Sequence, residues 1–378
     1  MHRLPPLCLL PPLLALLSFM AFFPAHRPTR DGDRLAVIAY YHGRGGALEG
    51  APVEKLTHII YCFLHLRGNA LTVDGPRDSA AMASLVSLKK RNPGLRVMLS
   101  LGGWGGCATC SEVFGTSRGR EEFAESALRV LTESRMDGID IDWEYPAVQG
   151  YPGHRFSADD RHNFTLLMRK LRETLGGNYE LSFAAGGFTG CLTASIEWKE
   201  VMPLVDRVNV MTYDLVNANS TVTGHLTPLF SSPMQGESTE NALRILDSLG
   251  VDPAKVVIGA AFYARVWEGV RDTNNGLFQQ GRFERYVPYR DLDDFFRQAG
   301  GFRGFWDSTS QAPFSFSAAR GLFATYDDPR SVSLKTAYAV RRGLGGIMFW
   351  ELTGDMPPHG LIDAIDSVRT AAPRRRQN

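Results

Sequence analysis

The sequence has little cysteine, almost no excess charge, and neither an internal repeat nor a low-complexity tract. Five cysteines in 378 residues are too few for a disulfide scaffold. With 41 Lys and Arg against 40 Asp and Glu, the net charge is +1, so nucleic acid is excluded from the expected partners. A chain that is 44% hydrophobic and 11% aromatic is not a disordered one. Its length suits one large domain or two ordinary ones, at about 100–200 residues each.

The first break in composition lies at the N-terminus. His2 and Arg3 precede a charge-free run over 4–25, after which His26, Arg27 and Arg30 restore polarity. Residues 1–30 are therefore expected to be an export segment, making the protein secreted or periplasmic, or an anchor holding it at a membrane. Five prolines (Pro5, Pro6, Pro11, Pro12, Pro24) disfavour a stable spanning helix. Cys8 falls in this run. The remaining four, Cys62, Cys107, Cys110 and Cys191, allow three pairings if oxidised, with buried thiols as the alternative. Cys107-x-x-Cys110 has no second CxxC or HxxxH partner, which argues against zinc.

From residue 34 onward, β-branched runs alternate with amphipathic helical stretches, the pattern of parallel strands joined by crossover helices. Eight strands are expected, at 35–41, 58–63, 96–101, 138–143, 180–185, 207–212, 256–261 and 346–350. Ser157 is placed to cap a helix whose apolar positions Phe164, Leu167, Met168, Leu171 and Leu175 share one face, with Gly176 and Gly177 stopping it. A second helix, over 237–249, puts Ala242, Ile245, Leu246 and Leu249 on one face. Eight strand-helix units predict a (β/α)₈ barrel, an α/β fold of about 250 residues. The surplus gathers between the seventh and eighth strands. The expected organisation is a barrel over 31–265, a small α+β insertion over 266–325, the end of the barrel over 326–372 with a crossover helix at 331–342, and a basic tail over 373–378.

The most informative stretch is Asp137-Gly-Ile-Asp140-Ile-Asp142-Trp-Glu144-Tyr-Pro. On a strand Asp140, Asp142 and Glu144 share one face, and Ile139, Ile141 and Trp143 the other. If the apolar set meets the helices, the acids point into the barrel, toward the strand ends where barrel enzymes keep their chemistry. Neighbouring acids would be ~6.7 Å apart at the backbone and would repel by about 2.5 kcal/mol at an effective dielectric of 20. They cannot all be ionised together at low cost, so one, taken to be Glu144, is expected to hold a proton near neutral pH and act as a general acid. A magnesium site of oxygen ligands is the alternative. Asp137 has the wrong parity for that face and is expected to be structural.

This segment resembles the DxxDxDxE signature of the family 18 glycoside hydrolases, the chitinases. Further blocks match in order: AYY (Tyr40, Tyr41), HIIYCF, SLGGW, NVMTYD, FYARVW, YDDPRS and GGIMFWEL. The resemblance implies substrate-assisted, retaining hydrolysis, with Glu144 as acid and base, Asp142 and Asp140 handling the acetamido group and its proton load, and Tyr213 bonding the acetamido carbonyl. It further implies a substrate-binding set: Tyr40 and Phe63 lining the acetamido pocket, with Tyr145 and Met211 beside it; Asp214 and Arg265 contacting sugar; Trp350 as the floor of the −1 subsite; and Trp104 as the wall of another. The implied ligand is chitin or an N-acetylglucosamine oligosaccharide, with no cofactor and no metal, and a monomer is expected. Glycan-directed or peptidoglycan-directed hydrolases of the same family, and chitin-binding lectins that have lost the acid, are the competing readings.

Overall fold

The computed structural model describes residues 35–43 and 48–372. The expected export segment and the basic tail lie outside the described residues.

Eight parallel strands close into a barrel: Ala36–Tyr41, His58–Arg67, Arg96–Gly102, Gly138–Asp142, Glu180–Gly186, Arg207–Met211, Val256–Ala261 and Gly346–Trp350. Their order round the barrel follows the chain, and the first strand pairs with both the second and the eighth, so no edge is left open. Alternation along each strand sorts the side chains. Ile139 and Ile141 face the outer apolar layer with the crossover helices, while Ile38, Ile60, Met98, Val257 and Met348 fill the barrel itself. Trp143, next in line, packs outward against Phe114 and Phe164 with ring centroids 5.6 and 6.3 Å away.

The crossovers are the helices Pro76–Ser87, Ser117–Ser134, Asp160–Leu175, Thr239–Ser248 and Pro329–Arg341, the short pair Thr189–Ala194 and Trp198–Val201, and a closing helix Leu361–Ala371. The first crossover departs from the strand-helix pattern. Its described part holds two single 3₁₀ turns, Leu48–Gly50 and Val53–Lys55, and the closing helix is tied to the second of them by Lys55 and Asp363 at 2.7 Å.

Helix starts also shift from expectation. Ser157 lies ahead of its helix: Asp159 occupies the cap, and Asp160 anchors the first turn by accepting from the Ser157 amide at 2.7 Å and the Ser111 hydroxyl at 2.8 Å. The helix expected at 237 starts at Thr239, where the Ser238 hydroxyl accepts from the Asn241 amide. The last crossover starts at Pro329, because Asp328 and Ser331 form a reciprocal capping box.

Between the seventh and eighth barrel strands the chain builds a second, antiparallel sheet. Its five strands lie in the order Arg282–Pro288, Tyr263–Glu268, Leu322–Thr325, Ala312–Ser317, Arg303–Asp307. One face carries Trp267, Phe314, Phe316 and Phe323, and the other packs Val266 and Ala324 with Leu292 of the helix Leu292–Ala299. The first strand starts at Tyr263, ahead of the expected boundary at 266, and so carries Arg265.

Asp137 does serve the backbone, accepting from the Val97 amide at 2.7 Å and pairing with Lys89 at 2.6 Å. Cys107 and Cys110 form a disulfide, and Cys62 and Cys191 are buried thiols.

Two buried ionic groups hold the ends of the barrel. At the strands' N-terminal end, Glu180 meets Arg207 at 2.8 Å and His58 at 3.2 Å. Burial alone would raise the Glu180 carboxyl, but His58, Arg207 and Arg96 hold it well below the usual range. Where the chain returns from the second sheet, Asp327 accepts two bonds from Lys335, at 2.8 and 2.7 Å, one from the Ser331 hydroxyl at 2.6 Å, and one from the Ala261 amide at 2.9 Å. Both ions are fully buried. Asp327→Ala leaves an unpaired ammonium and should cost about 3–5 kcal/mol in urea unfolding, whereas Asp327→Ala with Lys335→Met should recover most of it.

Candidate active site

The C-terminal ends of the barrel strands surround a cavity of about 1140 Å³. Ten of the residues singled out in the sequence line it together with Asp142: Tyr40, Phe63, Trp104, Glu144, Tyr145, Met211, Tyr213, Asp214, Arg265 and Trp350. Asp140 lies beneath, fully buried.

Asp140 is held from four directions. Its Oδ2 accepts from the Tyr40 hydroxyl at 3.0 Å and the Ser100 hydroxyl at 3.1 Å, and its Oδ1 from the Ser182 hydroxyl at 2.6 Å and the Asn209 amide at 3.1 Å. Burial raises its carboxyl, against the lowering effect of all four donors. Four donors fill the acceptor sites of one ionised carboxylate, so these oxygens are spent on protein groups and none is presented as a metal ligand. Tyr40 lines the cavity while its hydroxyl donates to Asp140 and accepts from Asn209 at 3.0 Å.

Asp142 has the opposite environment. It is buried, its Oδ1 has no hydrogen-bond partner, and burial, then the charges of Glu144 and Asp140, push its carboxyl well above the ordinary value. Glu144 follows two residues on, facing the cavity. Burial pushes it up to about 7, opposed by a hydrogen bond with the Tyr145 side chain and assisted by the negative charge of Asp214. Burial and mutual repulsion thus raise Asp142 and Glu144 together, while the four donors to Asp140 oppose its rise.

Asp214 accepts two bonds from Arg265, Nε to Oδ1 and Nη2 to Oδ2, both at 2.6 Å, and a third from the Tyr263 hydroxyl at 2.7 Å. Both donors come from the first strand of the second sheet. Tyr213 stands over the same corner with its ring edge-on to Tyr263 at 6.3 Å. Aromatic faces form the rest. Phe63 and Trp350 are stacked at 5.7 Å and 15°, His42 touches both rings, Tyr145 meets Phe188 at 5.4 Å, and Trp104 is 53% exposed.

Sequence reasoning missed Ser100, Ser182 and Asn209, each a small polar residue at inward parity on a strand whose only other polar residue is the charged one at its start. It also missed His42, Tyr151, Tyr263 and Tyr286 on the cavity wall. Among the described residues no group of three or more His, Cys, Asp or Glu is arranged to hold a metal ion, and no helix is long and apolar enough to cross a membrane.

A closed barrel with a carboxylate row under an aromatic cavity is the architecture of a carbohydrate-cleaving family. The sequence profile of the glycosyl hydrolases family 18 matches residues 36–355, and the chain belongs to that family. Chitinase A1 of Niallia circulans is 34% identical over 330 residues, covering 76% of this chain and 46% of that protein. The chain thus spans about half the length of that relative. Chitinase B of Serratia marcescens is 29% identical, covering 85% of this chain and 78% of that protein. Among solved structures, a family 18 N-acetylglucosaminidase from Paenibacillus barengoltzii superposes with a TM-score of 0.80 at 35% identity, covering 88% of this chain and 99% of the other.

The raised Glu144 carboxyl makes a prediction about stability. The folded state favours its protonated form, so this contribution is intact below the ordinary value of 4.5 and is lost as pH rises toward about 7. Glu144→Gln should therefore stabilise the protein by about 1–3 kcal/mol at pH 8 and by little at pH 4, read from urea unfolding at the two pH values.

Proposed function

We propose that the protein is a chitinase, hydrolysing β-1,4 bonds between N-acetylglucosamine units with help from the substrate's own acetamido group. The observation that carries the reading is Glu144: a carboxyl raised to about 7 and facing the cavity, beside Asp142 and Asp214. In this reading Glu144 gives its proton to the glycosidic oxygen as the bond to the anomeric carbon breaks. The acetamido carbonyl oxygen of the same sugar attacks that carbon and forms an oxazolinium ion, so no protein nucleophile is needed. Asp142, acting in its ionised form and with an oxygen free of other partners, accepts the acetamido N–H and neutralises the ion. Tyr213 donates to the acetamido oxygen and aligns it for attack. Glu144, now an anion, takes a proton from water, which opens the ring with retention.

Phe63 and Trp350 give the −1 sugar an apolar floor, and Trp104 serves a neighbouring unit. Asp214 and Arg265 hold the sugar's polar edge and bind the second sheet to the cleft, which favours residues 266–325 as an insertion belonging to the catalytic unit. The reading extends to an exported monomer. A second reading, release of single N-acetylglucosamine units, is favoured by the likeness to the Paenibacillus barengoltzii enzyme over nearly its whole length. The acetamido chemistry is the same in both.

Incubation with chitohexaose, a high-mannose glycopeptide and peptidoglycan, with product sizes read by mass spectrometry, separates the readings. Chitobiose or longer products support a chitinase, monomer alone the second reading, and action confined to the other two substrates overturns both. Glu144→Gln should lower kcat on chitohexaose by about 10²–10⁴ with binding retained; unchanged turnover sinks the assignment. Because the acid must be protonated, kcat should fall as pH rises through about 7.

A further inference from the structure

We propose that Tyr151 is a second aromatic platform beside Trp104, taking the next N-acetylglucosamine unit of a longer chain. The proposal rests on the chitin reading and extends it to a residue outside the family motifs described above.

Tyr151 lies on the loop that follows the carboxylate row and lines the same cavity as Trp104. It is 38% exposed and Trp104 is 53% exposed, so two large aromatic surfaces stand open side by side. Leaving such rings in water forgoes the stabilisation their burial would bring. Their centroids are 5.5 Å apart at an interplanar angle of 69°, so they form a corner presenting two faces. Successive β-1,4-linked units turn their faces over, and a corner can meet two consecutive rings where a flat wall meets one.

Two close approaches fix the corner. A Cβ on Gly150 would lie 1.9 Å from the Glu144 carbonyl oxygen, so the loop folds back onto the backbone of the acid itself. Gly105, directly after Trp104, has φ +86°, and a Cβ there would lie 3.1 Å from the Tyr151 ring. Tyr151 also meets His154, with ring centroids 4.8 Å apart. The ring is thus held before any ligand arrives, which limits the ordering cost of binding.

The test compares kcat/KM for chitohexaose with that for chitotriose in the wild type, Tyr151→Ala and Tyr151→Phe. The hexaose-to-triose ratio should fall about fivefold in Tyr151→Ala, the size of one lost aromatic contact, with the change in KM, and return in Tyr151→Phe. If Tyr151 only buttresses Trp104 or the loop, both substrates suffer in proportion and the ratio does not move; that result overturns the proposal, as does an unaltered ratio with full activity. Should Tyr151→Ala fold poorly, Tyr151→Leu replaces it, keeping bulk without an aromatic face. A wild-type protein inert toward both oligosaccharides is a different result, and it overturns the chitin reading itself.

Discussion

A fully buried carboxyl sits at the centre of this barrel, and four hydrogen-bond donors from neighbouring strands are arranged around it. Asp140 is fully buried on the fourth strand, and its four donors come from the first, third, fifth and sixth. Burying an unpaired carboxylate would cost far more than one domain's net stability. Hydrogen bonds to the charged form offset that cost only if all four strands stay in register. The pairing that sets Ser100 beside Asp140, and Asp140 beside Ser182, is therefore also an electrostatic requirement, and a slip of one residue would turn every donor away.

Satisfying Asp140 leaves Asp142 poor. The next inward position shares the repulsion of its neighbours while its Oδ1 has no donor, so burial and the charges of Glu144 and Asp140 push its carboxyl well above the ordinary range. Glu144, at the rim, is raised less because it is less enclosed. Different surroundings along one strand face thus give three chemically similar side chains different proton affinities. At the opposite end of the barrel Arg207, Arg96 and His58 surround Glu180.

Much of this was legible in the sequence because it depends on period-two alternation. The eight strands, the inward parity of the acids and the aromatic strand ends follow from side chains two residues apart on one face. What escaped depends on contacts distant in sequence. Ser100, Ser182 and Asn209 are unremarkable singly, and their meaning arises only when closure brings them to one carboxylate. The first crossover could not be distinguished, because its described part holds 3₁₀ turns, one of them tied to the closing helix by an ion pair distant in sequence. Tyr151 belongs to an irregular loop, where no periodicity marks a functional ring. Cysteine spacing left three pairings open, and only the fold brings Cys107 and Cys110 together while burying Cys62 and Cys191 apart.

The second sheet reaches the chemistry through a single carboxylate. Asp214 raises Glu144 by its negative charge, yet Arg265 neutralises much of that charge through two bonds and Tyr263 takes a third. Both partners are supplied by the strand Tyr263–Glu268. Its register against Leu322–Thr325 pairs Arg265 with Thr325, just ahead of the buried Asp327 and Lys335. An unshielded Asp214 would hold Glu144 protonated more tightly and weaken it as a donor at neutral pH, while a fully neutral Asp214 would let it ionise too early. The strand that anchors the added sheet to the barrel thus also reaches the acid through Asp214, one contribution beside the larger effect of burial.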